Sequence, residues 1–304
     1  MERAGSPVTI EHPCPVCRSP DTTLFLDDDN EALDASIVGS SRTTITHGRI
    51  RRCVKCGFGF REVRSSPPEM AEIYRKMDVR VYESETAGRI ATAARHLGIV
   101  KQFAATPVGR VLDAGCASGY FLREARSAGW SVVGVEPSET LYAKAVETLG
   151  ADADVRCSIL EHANFPAASF DVITLWDVLE HVPDPANFMS LCARLLKPGG
   201  SLFVNVPDLD SVQARLLGKR WPLLLAEHLN YFNRSSLRRC AELAGLQWVH
   251  FGRRRVSFSL NYILFRLSQH RIPGTTALRK FVGPALGRMS IPIHLGETLG
   301  VWRR

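Results

Sequence analysis

The sequence predicts an α/β protein built on a doubly wound, mostly parallel sheet, preceded by a small N-terminal module. Three observations predict it. Apolar runs of strand length alternate with helical stretches between residues 109 and 206. One of them, Val111-Leu112-Asp113, runs directly into a glycine-rich turn, Ala114-Gly115-Cys116-Ala117-Ser118-Gly119, and then a helix. Two Cys-x-x-Cys pairs, Cys14/Cys17 and Cys53/Cys56, stand ahead of all this.

Residues 1–62 form the module. A Cys-x-x-Cys turn aims both thiolates at one point, and Gly57 lets the backbone fold back. Two such turns supply four soft ligands, which suits tetrahedral zinc. A module this small buries little apolar surface, so the metal is expected to supply much of its folding energy. Four thiolates leave no open coordination position, so the zinc is expected to be structural. His12 and His47 are not needed as ligands. Between the pairs, Asp27, Asp28 and Asp29 form an acidic patch and Thr43-Thr44-Ile45-Thr46 is β-prone, which suits a hairpin with an excursion.

Pro67-Pro68 breaks the chain. Residues 63–107 read as a helical linker or lid, with helices over Glu69–Met77 and Glu85–Phe103 ended by Thr106-Pro107. Residues 108–304 form the main domain. Strands are expected over 109–113, 131–136, 154–157 and 201–206, with helices over 119–128, 138–149 and 185–196. Phe170-Asp171-Val172-Ile173-Thr174-Leu175 is a strand of the buried parallel kind. Lys197-Pro198-Gly199-Gly200 stops the helix before it. A helix over 234–244 is capped by Asn233 and stopped by Gly245. A strand follows over 246–251, then a helical insertion over 253–293, rich in Arg, Phe, Leu and Pro, expected to lie as a buried lid over the acceptor site rather than on an anionic membrane surface. Residues 294–302 are expected to enter the sheet antiparallel. Trp221 and Trp248 read as core residues.

The net charge of +7 is uneven. From Phe251 to Arg304 there are ten Lys and Arg against one Glu, so the rest of the chain is slightly acidic. A solvated helical face or an anionic acceptor would explain the excess. No apolar run approaches the roughly 18 residues of a membrane span. The N-terminus lacks a signal-peptide core, and a cytoplasmic location is expected.

After the second strand, Val132-Val133-Gly134-Val135, comes Glu136, about twenty residues beyond the first acidic strand end. An acid there accepts hydrogen bonds from ribose hydroxyls, and the glycine turn admits a nucleotide-type cofactor at the C-terminal edge of the sheet.

Taken in order, Asp113-Ala-Gly115-Cys-Ala-Ser-Gly119, Glu136, Phe170-Asp171 through Trp176-Asp177-Val-Leu-Glu180-His181-Val-Pro-Asp-Pro185, and Leu196-Lys-Pro-Gly-Gly200 resemble a class I S-adenosylmethionine-dependent methyltransferase. The resemblance is strong over 108–207 and looser beyond. It implies a Rossmann-like seven-stranded sheet and S-adenosyl-L-methionine as cofactor. By that resemblance Asp113 meets the methionine amino end, Gly115 and Gly119 lie under the cofactor, and Glu136 grips the ribose. Ile159-Leu160-Glu161 flanks the adenine, while Trp176 and Asp177 border the methionine. Two departures stand out: Ala117 replaces the middle glycine, and Ile159 stands where many members carry an Asp. The Cys-x-x-Cys pairs ahead of such a domain resemble deoxysugar C-methyltransferases, and some ribosomal-RNA methyltransferases also begin with a zinc module.

Methyl transfer from a sulfonium is an in-line displacement with a neutral leaving group, so alignment is the main task. A base is needed only where the acceptor must lose a proton. His181 follows the fourth strand, where acceptors sit in this fold. His228, in Ala226-Glu227-His228-Leu229-Asn230-Tyr231-Phe232, lies in a stretch resembling the EHxxxF segment of related methyltransferases. His228 is the first candidate base and His181 the second, and loop fastening is the competing role for both. Glu227 and Tyr231 are weaker candidates. Cys116 reads as a packing residue. The expectation is O- or C-methylation of a small-molecule or sugar-type acceptor, an anionic one if the basic tail serves recognition. An rRNA or tRNA methyltransferase and a non-catalytic protein of this fold are the alternatives.

Overall fold

Strand β4 (Arg110–Ala114) is the centre from which the main sheet grows in both directions. The structure, a computed structural model, describes residues 13–27, 48–62, 85–225, 227–269, 278, 282, 284–287 and 289–304. The expected helix over 69–77, His12, His47, Asp28, Asp29 and Thr43–Thr46 lie outside these.

From one edge to the other the seven strands run β10 (Gln247–Arg253), β13 (Glu297–Arg303), β8 (Leu196–Pro207), β7 (Phe170–Trp176), β4, β5 (Ser131–Val135) and β6 (Asp154–Arg156). Strands β4 to β8 are parallel, and β13 inserts antiparallel between β8 and β10. The chain reverses direction through the sheet between β4 and β7, the place where open α/β sheets leave a crevice. Strands β7 and β8 are buried along most of their length, because helices cover both faces.

Helices α1 (Thr86–Phe103), α2 (Tyr120–Ser127), α3 (Glu139–Leu149) and α4 (Pro185–Leu195) form where the sequence predicts them, within a residue or two at their ends. Ser138 caps α3 and Asp184 caps α4, each side chain accepting a backbone N–H. After β8 come a short helix α5 (Val212–Leu217), strand β9 (Asn230–Tyr231) and α6 (Arg234–Leu243), whose Asn233 and Ser236 make a capping box.

Two features differ from expectation. The insertion is not wholly helical: β11 (Val256–Ser259) and β12 (Ser290–Ile293) pair antiparallel around helix α7 (Leu260–Gln269). Val256-Ser257-Phe258-Ser259 alternates apolar with polar, a period of two that favours a strand. Trp248 is not core. It is 50% exposed on the edge strand β10, with the Arg238 guanidinium over its ring. Trp221 is buried as expected.

The N-terminal module is a small antiparallel sheet of β1 (Thr22–Leu26), β2 (Ile50–Cys53) and β3 (Gly59–Arg61). Its fourth strand is β9, from the main domain: Gly59 pairs with Tyr231 and Phe60 with Asn230. The cysteine module is thereby stitched to the loop that carries His228. Among the described residues, no helix is long and apolar enough to cross a membrane.

Candidate active site

At the C-terminal end of β4, Asp113 is 2% exposed and accepts the Thr174 hydroxyl at 2.7 Å. Burial pushes its carboxyl up to about 7. The turn behind it holds Gly115 at φ 77 and Gly119 at φ 76, with Ala117 also left-handed at φ 46. A Cβ on Gly115 would strike Val178 Cγ2 at 2.7 Å, so only glycine fits there. Ala117 takes the conformation the family's glycine would have, at a cost on the order of 1–2 kcal/mol. Glu136 steadies it: one carboxylate oxygen accepts Ala117 N–H and the other Ser138 N–H, both at 2.9 Å. Burial pushes Glu136 up to about 7 as well. Cys116 packs beneath the turn, buried.

A pocket of about 160 Å³ opens in front of this turn. Asp113, Gly115, Ser118, Trp176 and Asp177 line it from the sheet side, and α1 and β11 close it from above. Glu136 lies just behind the turn, outside the lining. Ser118 Oγ is buried and makes no hydrogen bond among the described residues. A glycine-floored cleft, an orphaned hydroxyl and two buried acids suit the nucleoside cofactor that the sequence implies.

Leu160 and Glu161 part company. Strand β6 is only three residues long and gives way to a single tight turn over Leu160–His162. That turn points Leu160 into the core and leaves Glu161 exposed, lining a separate surface pocket with Asp184, Asn187 and Arg194. The structure therefore does not bring Glu161 to the cofactor cleft.

Trp176 and Asp177 end β7. Trp176 stacks on His96 of α1, with ring centroids 3.8 Å apart. Asp177 is held in the left-handed region at φ 59, a strained backbone that neighbours must maintain. Asn205 Nδ2 donates to its Oδ1 at 2.6 Å, and Arg254 Nη1 reaches both of its carboxylate oxygens at 2.6 Å. Arg254 also bonds Glu297 of β13 at 2.9 Å. Burial opposes the charge on Arg254, but Asp177 and Glu297 outweigh it and raise its pKa. Sequence reasoning missed this cluster of His96, Asn205, Arg254 and Glu297, whose members are far apart in the chain. The one available signal was an Arg run at the mouth of an otherwise apolar segment.

The two candidate histidines come together. Their ring centroids are 4.7 Å apart, edge to face. Three residues clamp their loops: Leu229 N–H donates to Glu180 O at 2.8 Å, Asn230 Nδ2 donates to Leu179 O and Val182 O, and His181 Nδ1 donates to Glu227 O at 3.0 Å. His228 Nδ1 donates to Leu223 O at 2.9 Å, which places the lone pair of this ring on Nε2. Burial lowers His181 to about 4, and burial together with His181 lowers His228 well below its usual value. Both rings are neutral at physiological pH. Glu180 beside them is pushed up by burial and by Asp177, and its Oε2 is buried without a partner among the described residues. Tyr231 donates to Leu225 O, and Glu227 is buried beside it.

Cys14, Cys17, Cys53 and Cys56 converge, their sulfurs all within 4.8 Å of one another. Cys14 Sγ lies 3.6 Å from Cys56 Sγ, and Cys17 Sγ 3.5 Å from Cys53 Sγ. Thiolates about 2.3 Å from a tetrahedral zinc stand about 3.8 Å apart, so this donor set suits zinc.

Ubiquinone biosynthesis O-methyltransferases are similar to this chain. That of Hahella chejuensis is 40% identical over 114 residues, covering 36% of this chain and 48% of that protein. That of Escherichia coli O9:H4 is 34% identical over 141 residues, covering 44% and 55%. The chain thus spans about half the length of these curated relatives. Among solved structures, the cyclase SpnF matches with a TM-score of 0.50 at 22% identity, over 69% of this chain and 80% of that one. A chain from the complex of the Haloferax volcanii Trm112 methyltransferase activator with its methyltransferase matches with a TM-score of 0.51 at 18% identity, over 71% and 93%. These two show the fold. The family described as a methyltransferase domain matches residues 89–250, more than half of the chain, and the protein belongs to that family.

Proposed function

We propose that this protein transfers the methyl group of S-adenosylmethionine to a hydroxyl oxygen of a small-molecule or sugar-type acceptor. The observation that carries the reading is the neutral, edge-to-face His181–His228 pair, with His181 within electrostatic reach of Asp177, which itself lines the glycine-floored cleft. The O-methyltransferase names of the relatives support oxygen as the atom methylated.

The cofactor, when bound, supplies an electrophilic methyl on a sulfonium. The chain's residues do the rest. Gly115 gives the backbone close approach, Asp113 takes the amino end and Glu136 takes the ribose; Leu160, turned into the core, and Glu161, exposed on a separate surface, do not line the cleft. Trp176 and Asp177 border the methionine end. His228, its Nδ1–H fixed on Leu223 O, takes the acceptor's proton at Nε2, and His181 packs against it. The cysteine cluster holds a structural zinc that keeps the module, and through β9 the His228 loop, in place.

The test is transfer of labelled methyl from S-adenosylmethionine to a panel of phenols, sugars and RNAs. Methylation of a small hydroxyl compound that His228→Ala abolishes supports the reading. Methylation of RNA alone, or none with the cofactor bound, overturns it.

A further inference from the structure

Arg254 comes to the cofactor end of the sheet from outside it, on the segment between β10 and β11. It is 5% exposed, yet it lines the pocket. Its donors are unevenly used. Nε donates to His96 Nε2 at 2.7 Å, and Nη1 serves Asp177 and Glu297. Nη2 makes no hydrogen bond among the described residues. A buried guanidinium with an unused pair of N–H groups on a pocket wall is an anion-recognition device, because its fork is already oriented.

The surroundings narrow the anion. Asp113 and Asp177 line the same pocket, so an isolated anion would meet repulsion from both. A zwitterion would not. The methionine end of the proposed cofactor is an α-amino acid, with an ammonium for the acids and a carboxylate for the arginine. Arg89 of α1 also lines the pocket, but it is less buried than Arg254.

Arg254 is also the root of a strap. Its carbonyl accepts His294 Nδ1–H at 2.8 Å. Beyond it, Ser257 N–H donates to Thr92 Oγ1 at 2.9 Å, Arg95 Nε donates to Ser257 Oγ at 3.1 Å, and Ser259 Oγ donates to Glu85 Oε2 at 2.9 Å. Gly88 permits this approach, since a Cβ there would collide with the Ser257 carbonyl. The strap thus roofs a pocket of about 160 Å³, below the roughly 300 Å³ at which ligand sites usually begin.

We propose that Arg254 recognises the carboxylate of the cofactor's methionine end, and that this contact makes seating of the Val256–Tyr262 strap depend on the cofactor. The inference rests on the proposed function. It is tested by calorimetric titration with S-adenosylmethionine and with decarboxylated S-adenosylmethionine, alongside hydrogen exchange of the strap. The parent protein should bind the carboxylate-bearing ligand about 10- to 100-fold more tightly, and only that ligand should protect the strap. Arg254→Lys keeps a charge for Asp177 and Glu297 but loses the fork, and should cut the discrimination to within about threefold. Arg254→Met should do the same; if that variant fails to fold, Arg254→Lys and the parent still decide. Equal affinity of the parent for both ligands overturns the inference while leaving the cofactor reading intact. So does discrimination that survives in Arg254→Lys. A parent that binds neither ligand removes the cofactor reading and this inference together.

Discussion

Removing the metal from the cysteine cluster should damage turnover more than cofactor binding. The module meets the His228 loop through a short list of contacts. Arg61 N–H donates to Leu229 O at 3.0 Å, and β3 pairs with β9 at Gly59 and Phe60. Asn233 Nδ2 reaches Gly57 O at 3.4 Å, Arg52 bonds Asp210 at 2.8 Å, and Phe58 meets Phe232 edge to face at 4.9 Å. At about 1 kcal/mol per hydrogen bond and about 1 kcal/mol for the ring pair, these contacts are worth about 4–5 kcal/mol, besides the burial of Val16, Phe58 and Phe60 in the main-domain core. A structural zinc is worth about 10–16 kcal/mol to a small domain, so its loss is of the size of the whole seam. Chelation, or Cys53→Ser, should therefore release β3 and with it β9. Hydrogen exchange across 227–233 should rise at least tenfold, and kcat should fall at least tenfold. Affinity for S-adenosylmethionine should change less than threefold, because the β4 turn and Glu136 make none of these contacts. If the module loses protection while 227–233 and kcat stay unchanged, β9 is a passive edge and the coupling is wrong. If no metal is found in the purified protein, the zinc assignment itself fails.

Other outcomes follow from the site. Glu136→Ala should weaken S-adenosylmethionine binding by about 1–3 kcal/mol through lost charge-assisted hydrogen bonds, and calorimetry showing unchanged affinity would remove Glu136 from the ribose. Asp113 and Glu136 are both raised to about 7 in the cofactor-free protein, so they ionise as the pH goes from 6 to 8. Cofactor affinity should rise across that window, by at most about tenfold per unit for each group, and a flat or falling profile would contradict the assignment. His228→Ala should lower kcat by about 100-fold or more with little change in cofactor affinity; equal turnover would leave the histidine a loop fastener. Because His181 is lowered to about 4 and His228 well below its usual value, the acidic limb of kcat should lie below pH 6, which a pH–rate profile at saturating cofactor would show.

Legibility in the sequence tracked locality. The glycine turn, Asp113, Glu136 and the strand–helix alternation are each local patterns, and each took its place within a residue or two. The convergence of the four cysteines was equally legible, because two tight turns each bring a pair of sulfurs to one point. Glu161 failed for a local reason of another kind: one residue of a tight turn faces in and the next faces out, and β6 is too short to set that phase from the sequence. Strand β9 was illegible for a tertiary reason. Its two residues carry no strand pattern of their own and are extended only because β3 lies beside them. Arg254 was illegible because its partners, His96, Asp177 and Glu297, are contributed by three distant segments.

The buried charges around the sheet's upper edge explain why those segments had to meet. Asp113, Glu136, Glu180 and Glu297 are all pushed upward, chiefly by burial, while His96, His181 and His228 are pushed downward by it. Raised to about 7, Asp113, Glu136 and Glu297 contribute stability that is complete below the unfolded value near 4 and is lost as the pH climbs through 7. A histidine with a lowered folded pKa contributes stability above about 6.5 that is lost as the pH falls toward 4. The two sets act in opposite directions as the pH changes, so each partly balances the other. Asp113→Asn breaks that balance. It keeps an acceptor for Thr174 but cannot ionise, so its stability gain over the parent should be larger at pH 8 than at pH 5, by up to about 3 kcal/mol. Denaturant unfolding at the two pH values measures it. A gain that is the same at both would mean that Asp113 is already ionised in the resting protein, and that the cleft awaits its cationic ligand with the charge in place.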